Sequence, residues 1–101
     1  MEYFKNDRYM TPGIKNSIPA HIALALWDLI DNMTVEKDYL QIFKLEVIGS
    51  DDAQVQVIRH EQEVPEYHSP LIYIPYGPYY TGKVYIIDDG TISLMCLPEE
   101  R

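Results

Sequence analysis

Little in this sequence offers reactive chemistry. One cysteine, Cys96, leaves no partner for an internal disulfide. Eight Lys and Arg stand against sixteen Asp and Glu, a formal charge of -8. That deficit removes the basic footprint by which proteins hold nucleic acid, and it disfavours an anionic membrane surface. The longest uninterrupted apolar run, Ile22 to Trp27, is far below the roughly 20 residues of a membrane-spanning helix. Five single glycines form neither a Gly-x-Gly-x-x-Gly turn nor a phosphate loop. The opening Met1-Glu2-Tyr3-Phe4-Lys5 lacks the charged and apolar regions of a secretory signal, so the expectation is a cytoplasmic protein.

What remains is 47% hydrophobic and 24% charged over 101 residues, which points to one folded domain spanning 1–101 and not to a disordered tail. A chain this short builds one core layer between two elements, so a deep cleft is not expected.

The strongest periodic segment runs from Ile18 to Met33, where Ile18, Ile22, Leu26, Leu29, Ile30 and Met33 recur at helical spacing. Ser17 fits an N-cap and Pro19 the first turn. The apolar stripe is wide, and its Trp27 edge needs cover from a loop, the N-terminal arm or another molecule. Asp38 to Ile48 carries apolar residues on both parities, the pattern of a central strand covered on both faces for part of its length. A turn at Gly49 to Asp52 and a returning strand from Ala53 to Glu61, alternating around Val55 and Val57, pair with it antiparallel. Lys83–Asp88 and Ile92–Leu97 flank Asp89-Gly90 as a hairpin with a type I′ turn. Between these lies a stretch from Glu63 to Gly82 holding Pro65, Pro70, Pro75 and Pro78 with Tyr67, Tyr73, Tyr76, Tyr79 and Tyr80. Leu71 to Ile74 fits a short edge strand there, and Arg8 to Thr11 another. The predicted fold is α+β: a twisted, mostly antiparallel sheet of four to six strands, one amphipathic helix on one face and the Tyr/Pro stretch near the other.

Several strings occur together in order: Arg8-Tyr9-Met10-Thr11, Leu26-Trp27-Asp28-Leu29-Ile30-Asp31, Asp38-Tyr39-Leu40-Gln41-Ile42-Phe43, His60-Glu61-Gln62-Glu63-Val64-Pro65-Glu66-Tyr67 and Lys83-Val84-Tyr85-Ile86-Ile87-Asp88-Asp89-Gly90. Together they resemble a family of small bacterial proteins, mostly from Firmicutes such as staphylococci, known as domain of unknown function nine hundred and sixty. The resemblance implies a single-domain cytoplasmic bacterial protein with no established substrate, cofactor or catalytic residue.

His60, Glu61, Glu63 and His68 are ligand types for a divalent ion, and a small metal-dependent enzyme or hydrolase using them is the alternative functional reading. Their spacing is wrong for a His-Glu-x-x-His helix, and Pro65 precludes a continuous one. In an extended chain His60 and Gln62 share one side and Glu61 and Glu63 the other, so a solvated strand end is the simpler expectation. Asp88 and Asp89 fit turn residues, and Cys96 an inert thiol in an apolar strand. No residue is assigned as catalytic or metal-binding, and no cofactor is implied. The leading expectation is a non-enzymatic interaction module, binding a protein partner or a second copy through Trp27, Tyr67, Tyr73, Tyr76, Tyr79 and Tyr80, since tyrosine gives large contact area at modest entropic cost. A field of -8 steers positively charged partners, and an acidic decoy imitating nucleic acid is a weaker variant of that idea.

Overall fold

A computed structural model describes residues 2–101. In chain order the elements are β1 (Asp7–Met10), α1 (Pro12–Ser17), α2 (Ala20–Asp31), β2 (Leu40–Ile48), β3 (Val55–Gln62), β4 (Tyr67–His68), β5 (Ile72–Ile74), β6 (Gly82–Asp88) and β7 (Ile92–Cys96). A single 3₁₀ turn, Pro98–Glu100, follows. All seven strands join one sheet in the order β1-β7-β6-β2-β3-β4, with β5 also on β3. Every pairing is antiparallel except β1 with β7, which is parallel. The sheet is therefore larger than the four to six strands predicted, because the Tyr/Pro stretch contributes two short strands in place of one.

Strand alternation decides where the core lies. Phe43 and Leu45 of β2 sit on the same face as Ile58, Val84, Ile86 and Met95, and against them α2 lays Ile22, Leu26 and Ile30. Each buried aliphatic side chain of this kind contributes about 1.5–3 kcal/mol. Among the described residues no helix covers the opposite face, where Ile42, Tyr85, Ile87 and Leu94 are half-buried among their neighbours. The two-sided cover expected of β2 is thus supplied by adjacent side chains in the sheet and not by a second layer.

The periodic segment read as one helix from Ile18 to Met33 forms α2 over Ala20–Asp31, and a short helix that the periodicity did not announce, α1, precedes it. Thr11 caps α1 by accepting from the Ile14 N–H at 3.3 Å, and Pro12 begins that helix. Ser17 is the last residue of that helix. Ile18 must leave helical geometry because Pro19 follows it, and α2 starts afresh at Ala20 without a side-chain cap. The hairpin turn is displaced by one residue: Asp89 N–H donates to the Ile92 carbonyl, which leaves Gly90-Thr91 as the connecting pair. Gly90 has φ +95° and Thr91 does not share a positive φ, whereas a type I′ turn requires it at both positions. The Tyr/Pro stretch lies along the β3 edge and does not cover the other face, although Tyr73 and His68 turn toward it. Ile74 joins the core and Ile72 and Tyr80 pack against it.

Candidate functional site

The strand register brings Gln41, His60 and Gln62 together on the inner face of β2 and β3. His60 Nε2 lies 2.7 Å from Gln41 Oε1, and Gln41 Nε2 donates to Gln62 Oε1 at 2.6 Å. Gln62 in turn donates to the Glu36 and Pro65 carbonyls and accepts from the Asp38 N–H. The imidazole stacks on Phe43 at 4.4 Å and meets the Tyr67 ring edge-on at 5.6 Å. Only 2% of His60 is exposed, which corrects the solvated strand end expected at this position. Burial pushes its pKa down to about 4, against a smaller opposing effect of the Glu61 charge. The group is neutral and sealed, and its Nδ1 has no partner. Through Gln41 it supports Gln62, whose bonds join the loops entering β2 and leaving β3.

The quartet proposed for metal chemistry is split by the pleat. His60 faces inward, while Glu61 and His68 pair across β3 and β4 on the opposite face, with His68 Nδ1 3.3 Å from Glu61 Oε2. Glu61 also receives Lys44 Nζ at 2.9 Å, and Glu66 reaches His68 Nε2 at 3.3 Å. Lys44, hydrogen-bonded to Glu61, holds that carboxyl below its usual range. Glu63 is exposed, and among the described residues no three His, Cys, Asp or Glu side chains are grouped to hold a metal ion. Cys96 is buried, and burial raises its thiol pKa, which disfavours the nucleophilic thiolate.

Asp88 has a role beyond the turn. It accepts from the Phe4 N–H at 2.8 Å, the Gly90 N–H at 2.8 Å and the Asn6 amide at 3.1 Å. Burial alone would raise its pKa; the Phe4 and Gly90 N–H groups and the Asn6 amide outweigh that and hold it low. The N-terminal arm is thereby fastened beside β6, with the Phe4 ring buried in the core.

Trp27 and the five tyrosines do not form one surface. The N-terminal arm covers Trp27: the Arg8 guanidinium lies 4.7 Å above its ring and forms a two-pronged ion pair with Asp31. Tyr67 packs on His60, the Tyr79 hydroxyl donates to the Gln54 carbonyl, and the Tyr80 backbone is clasped by Gln56. Tyr76 lies against the His21 ring of α2 at 5.2 Å. Tyr73 points to the open face opposite Val57. Only Tyr73 and Tyr76 of the five are strongly exposed, and they stand on different faces.

A surface of which the sequence reasoning marked only Trp27 and the Arg8 to Thr11 edge strand lies at the other edge. All four residues of β1 are exposed. The Thr11 N–H donates to the Met95 carbonyl, which sets the phase of the strand: Asp7, Tyr9 and Thr11 turn their backbone groups toward β7, and Arg8 and Met10 turn theirs outward. Among the described residues, neither residue's N–H or C=O has a partner outside the sheet ladder. Beside this edge runs an apolar trough of about 390 Å³ between β1, α1 and α2, with Met10, Ile14, Ala20, Leu24 and Trp27 in its walls and Lys15 at its margin. Leu24 is 65% exposed. The available signal was Leu24 itself, a large apolar side chain off the main helical stripe.

A model of the family described as staphylococcal protein of unknown function (DUF960) matches residues 7–100. A crystal structure of a protein of unknown function from Enterococcus faecalis is similar with a TM-score of 0.77 at 23% identity, covering 95% of this chain and 91% of that chain. At that identity the likeness carries the fold alone. No curated protein matches the sequence.

Proposed function

Because the chain belongs to the staphylococcal family of unknown function, it inherits no activity from its relatives, and we propose that it is a small, acidic, non-enzymatic protein-interaction module of the cytoplasm. One observation carries this reading: a row of unpartnered backbone donors and acceptors at Arg8 and Met10 runs beside an apolar trough. Open strand edges with adjacent apolar relief take extended polypeptide, the backbone bonds giving affinity and the relief giving selectivity. The chemically capable groups support it from the other side, since His60 is sealed and neutral and the Cys96 thiol is buried. Trp27 forms part of the trough wall and is the one residue of the sequence-based binding set that belongs to this surface.

The test is affinity capture from the native host with the intact protein, in parallel with Leu24→Asp and with Tyr73→Ala as a control on the other face. A stoichiometric polypeptide partner, a second copy included, should be retained by wild type and Tyr73→Ala and lost with Leu24→Asp. Retention by Leu24→Asp, or stoichiometric bound metal lost on His68→Ala, would overturn the reading.

A further inference from the structure

We infer that the polypeptide fitting the β1 edge is a second copy of this chain, paired antiparallel through β1 about a two-fold axis at Tyr9. The inference rests on the interaction reading above and names its partner.

The two edges of the sheet are built differently. At the β3 side the outer strands β4 and β5 are two and three residues long and are separated by Pro70, with Pro65 and Pro75 at the segment's ends, the usual way an edge is closed to neighbours. The β1 edge contains no proline before Pro12 and leaves the N–H and C=O groups of both Arg8 and Met10 facing out. An antiparallel partner satisfies these groups only where its own outward residues stand directly opposite.

For self-pairing, three registers meet that condition. Centring on Arg8 places Met10 against Asn6 of the second copy, which lies before β1 begins at Asp7, so the outward groups of Met10 go unmatched. Centring on Met10 places Arg8 against Pro12 of the second copy, which has no N–H to give. Centring on Tyr9 sets Arg8 opposite Met10 of the second copy and Asp7 opposite Thr11, so that no like charges face each other. All four N–H groups and all four carbonyls are then used. In that register Tyr9 meets its own symmetry mate in the closely spaced, non-hydrogen-bonded position, on the face it shares with Leu94. Tyr9 is 51% exposed and has ring surface to give there.

Side chains agree with the backbone. Arg8 is held back toward Trp27 and Asp31, clear of the edge. Met10 projects to the helix side and lines the trough with Leu24. Strand pairing over four residues falls short of the about 800 Å² per partner typical of a stable complex, and the trough is the apolar surface adjoining the axis that extends the contact. A two-fold contact of this kind is isologous and closes, so it makes a dimer and not a fibre.

Light scattering after size-exclusion chromatography, at micromolar and at near-millimolar concentration, tests this on the intact chain. Wild type should reach twice the 11.8 kDa chain mass. Tyr9→Lys, which sets two ammonium groups on the axis, and Met10→Pro, which deletes an outward N–H that the fold does not use, should both halve the mass with an unchanged circular dichroism spectrum. Tyr9→Cys should give a reducible cross-linked dimer, because the axial pair is close enough for a disulfide. A wild type that stays monomeric at the higher concentration, or a dimer surviving both substitutions without cross-linking through Tyr9→Cys, overturns the inference. A monomer that still captures a different polypeptide in a Leu24-dependent way sinks the dimer alone. A monomer that captures nothing sinks the interaction reading as well.

Discussion

The imidazole of His60 sits where a reactive group would be useless and a structural one is exposed to pH. Its neutral form stacks on Phe43 and bonds Gln41, and burial holds its pKa at about 4 against an ordinary 6.5. Below about pH 6.5 the unfolded chain therefore takes up a proton that the folded chain refuses. Stability is intact above this window, falls as pH drops through it, and this group's contribution levels off once the folded form protonates near 4. The carboxyls with lowered pKa, Asp31, Glu61, Asp88, Asp89 and Glu100, act lower down, since their unfolded values are 3.8 to 4.5. The interval from pH 6.5 to about 5 thus reports mainly His60, with an expected loss of about 2 kcal/mol. Urea unfolding of wild type and His60→Phe across that interval is the measurement. The phenyl ring keeps the stacking partner and removes the titration, so the slope should flatten even though Gln41 loses a partner and overall stability drops. An equal slope in both proteins would assign the loss to other groups.

At the scale of elements, one side chain replaces a missing strand. Residues 75–81 carry no regular pairing, yet the segment is held to β3 because the Gln56 amide donates to the Tyr80 carbonyl at 2.8 Å and accepts from the Tyr80 N–H at 2.7 Å. Gln56→Leu keeps volume and leaves both backbone groups without that partner, an expected loss of about 2 kcal/mol. Hydrogen exchange should quicken at Tyr80 and its neighbours while the β2 and β6 amides stay protected; uniform quickening would mean that the segment is part of the global unit. The same side chain explains what the sequence concealed. Apolar spacing located α2, apolar residues on both parities β2, alternation around Val55 and Val57 β3, and the Asp89-Gly90 turn signal the β6–β7 hairpin. In β3, however, alternation around Val55 and Val57 drew attention to the wrong face: the inner parity is Gln56, Ile58, His60 and Gln62, three of them polar, and nothing local announces that their partners lie on β2 and in loops around it. The resemblance of the spaced strings to the family was legible, and so was Arg8 to Thr11 as an edge strand. Which groups of β1 remain free was not, since that depends on pairing with β7 some eighty residues away.

For the molecule as a whole, the decisive quantity is the charge of -8 on a body measuring 45 × 28 × 20 Å. At about 0.01 M salt the screening length is roughly 30 Å, so acids on opposite sides of the two shorter dimensions repel one another; at about 0.15 M it is roughly 8 Å and only neighbours interact. Opposing this, salt weakens the ion pairs of Arg8 with Asp31, Lys44 with Glu61 and Arg59 with Glu46. Each is partly exposed, and such pairs contribute about 0–1 kcal/mol before screening. Sixteen acids against eight bases leave most carboxylates without a cation, so relief of the net repulsion should win. A gain of about 1 kcal/mol corresponds to a rise in thermal midpoint of roughly 4–8 °C for a domain of this size. The same screening acts on association, because two copies of one acidic chain must approach each other: raising sodium chloride should lift both the midpoint and the dimer fraction. Differential scanning calorimetry and light scattering over the two salt concentrations read the pair of effects. If both decline as salt is added, the individual ion pairs outweigh the net charge. If the midpoint rises while the dimer fraction falls, the contact between copies depends on opposite charges and not on the uncharged backbone edge at β1.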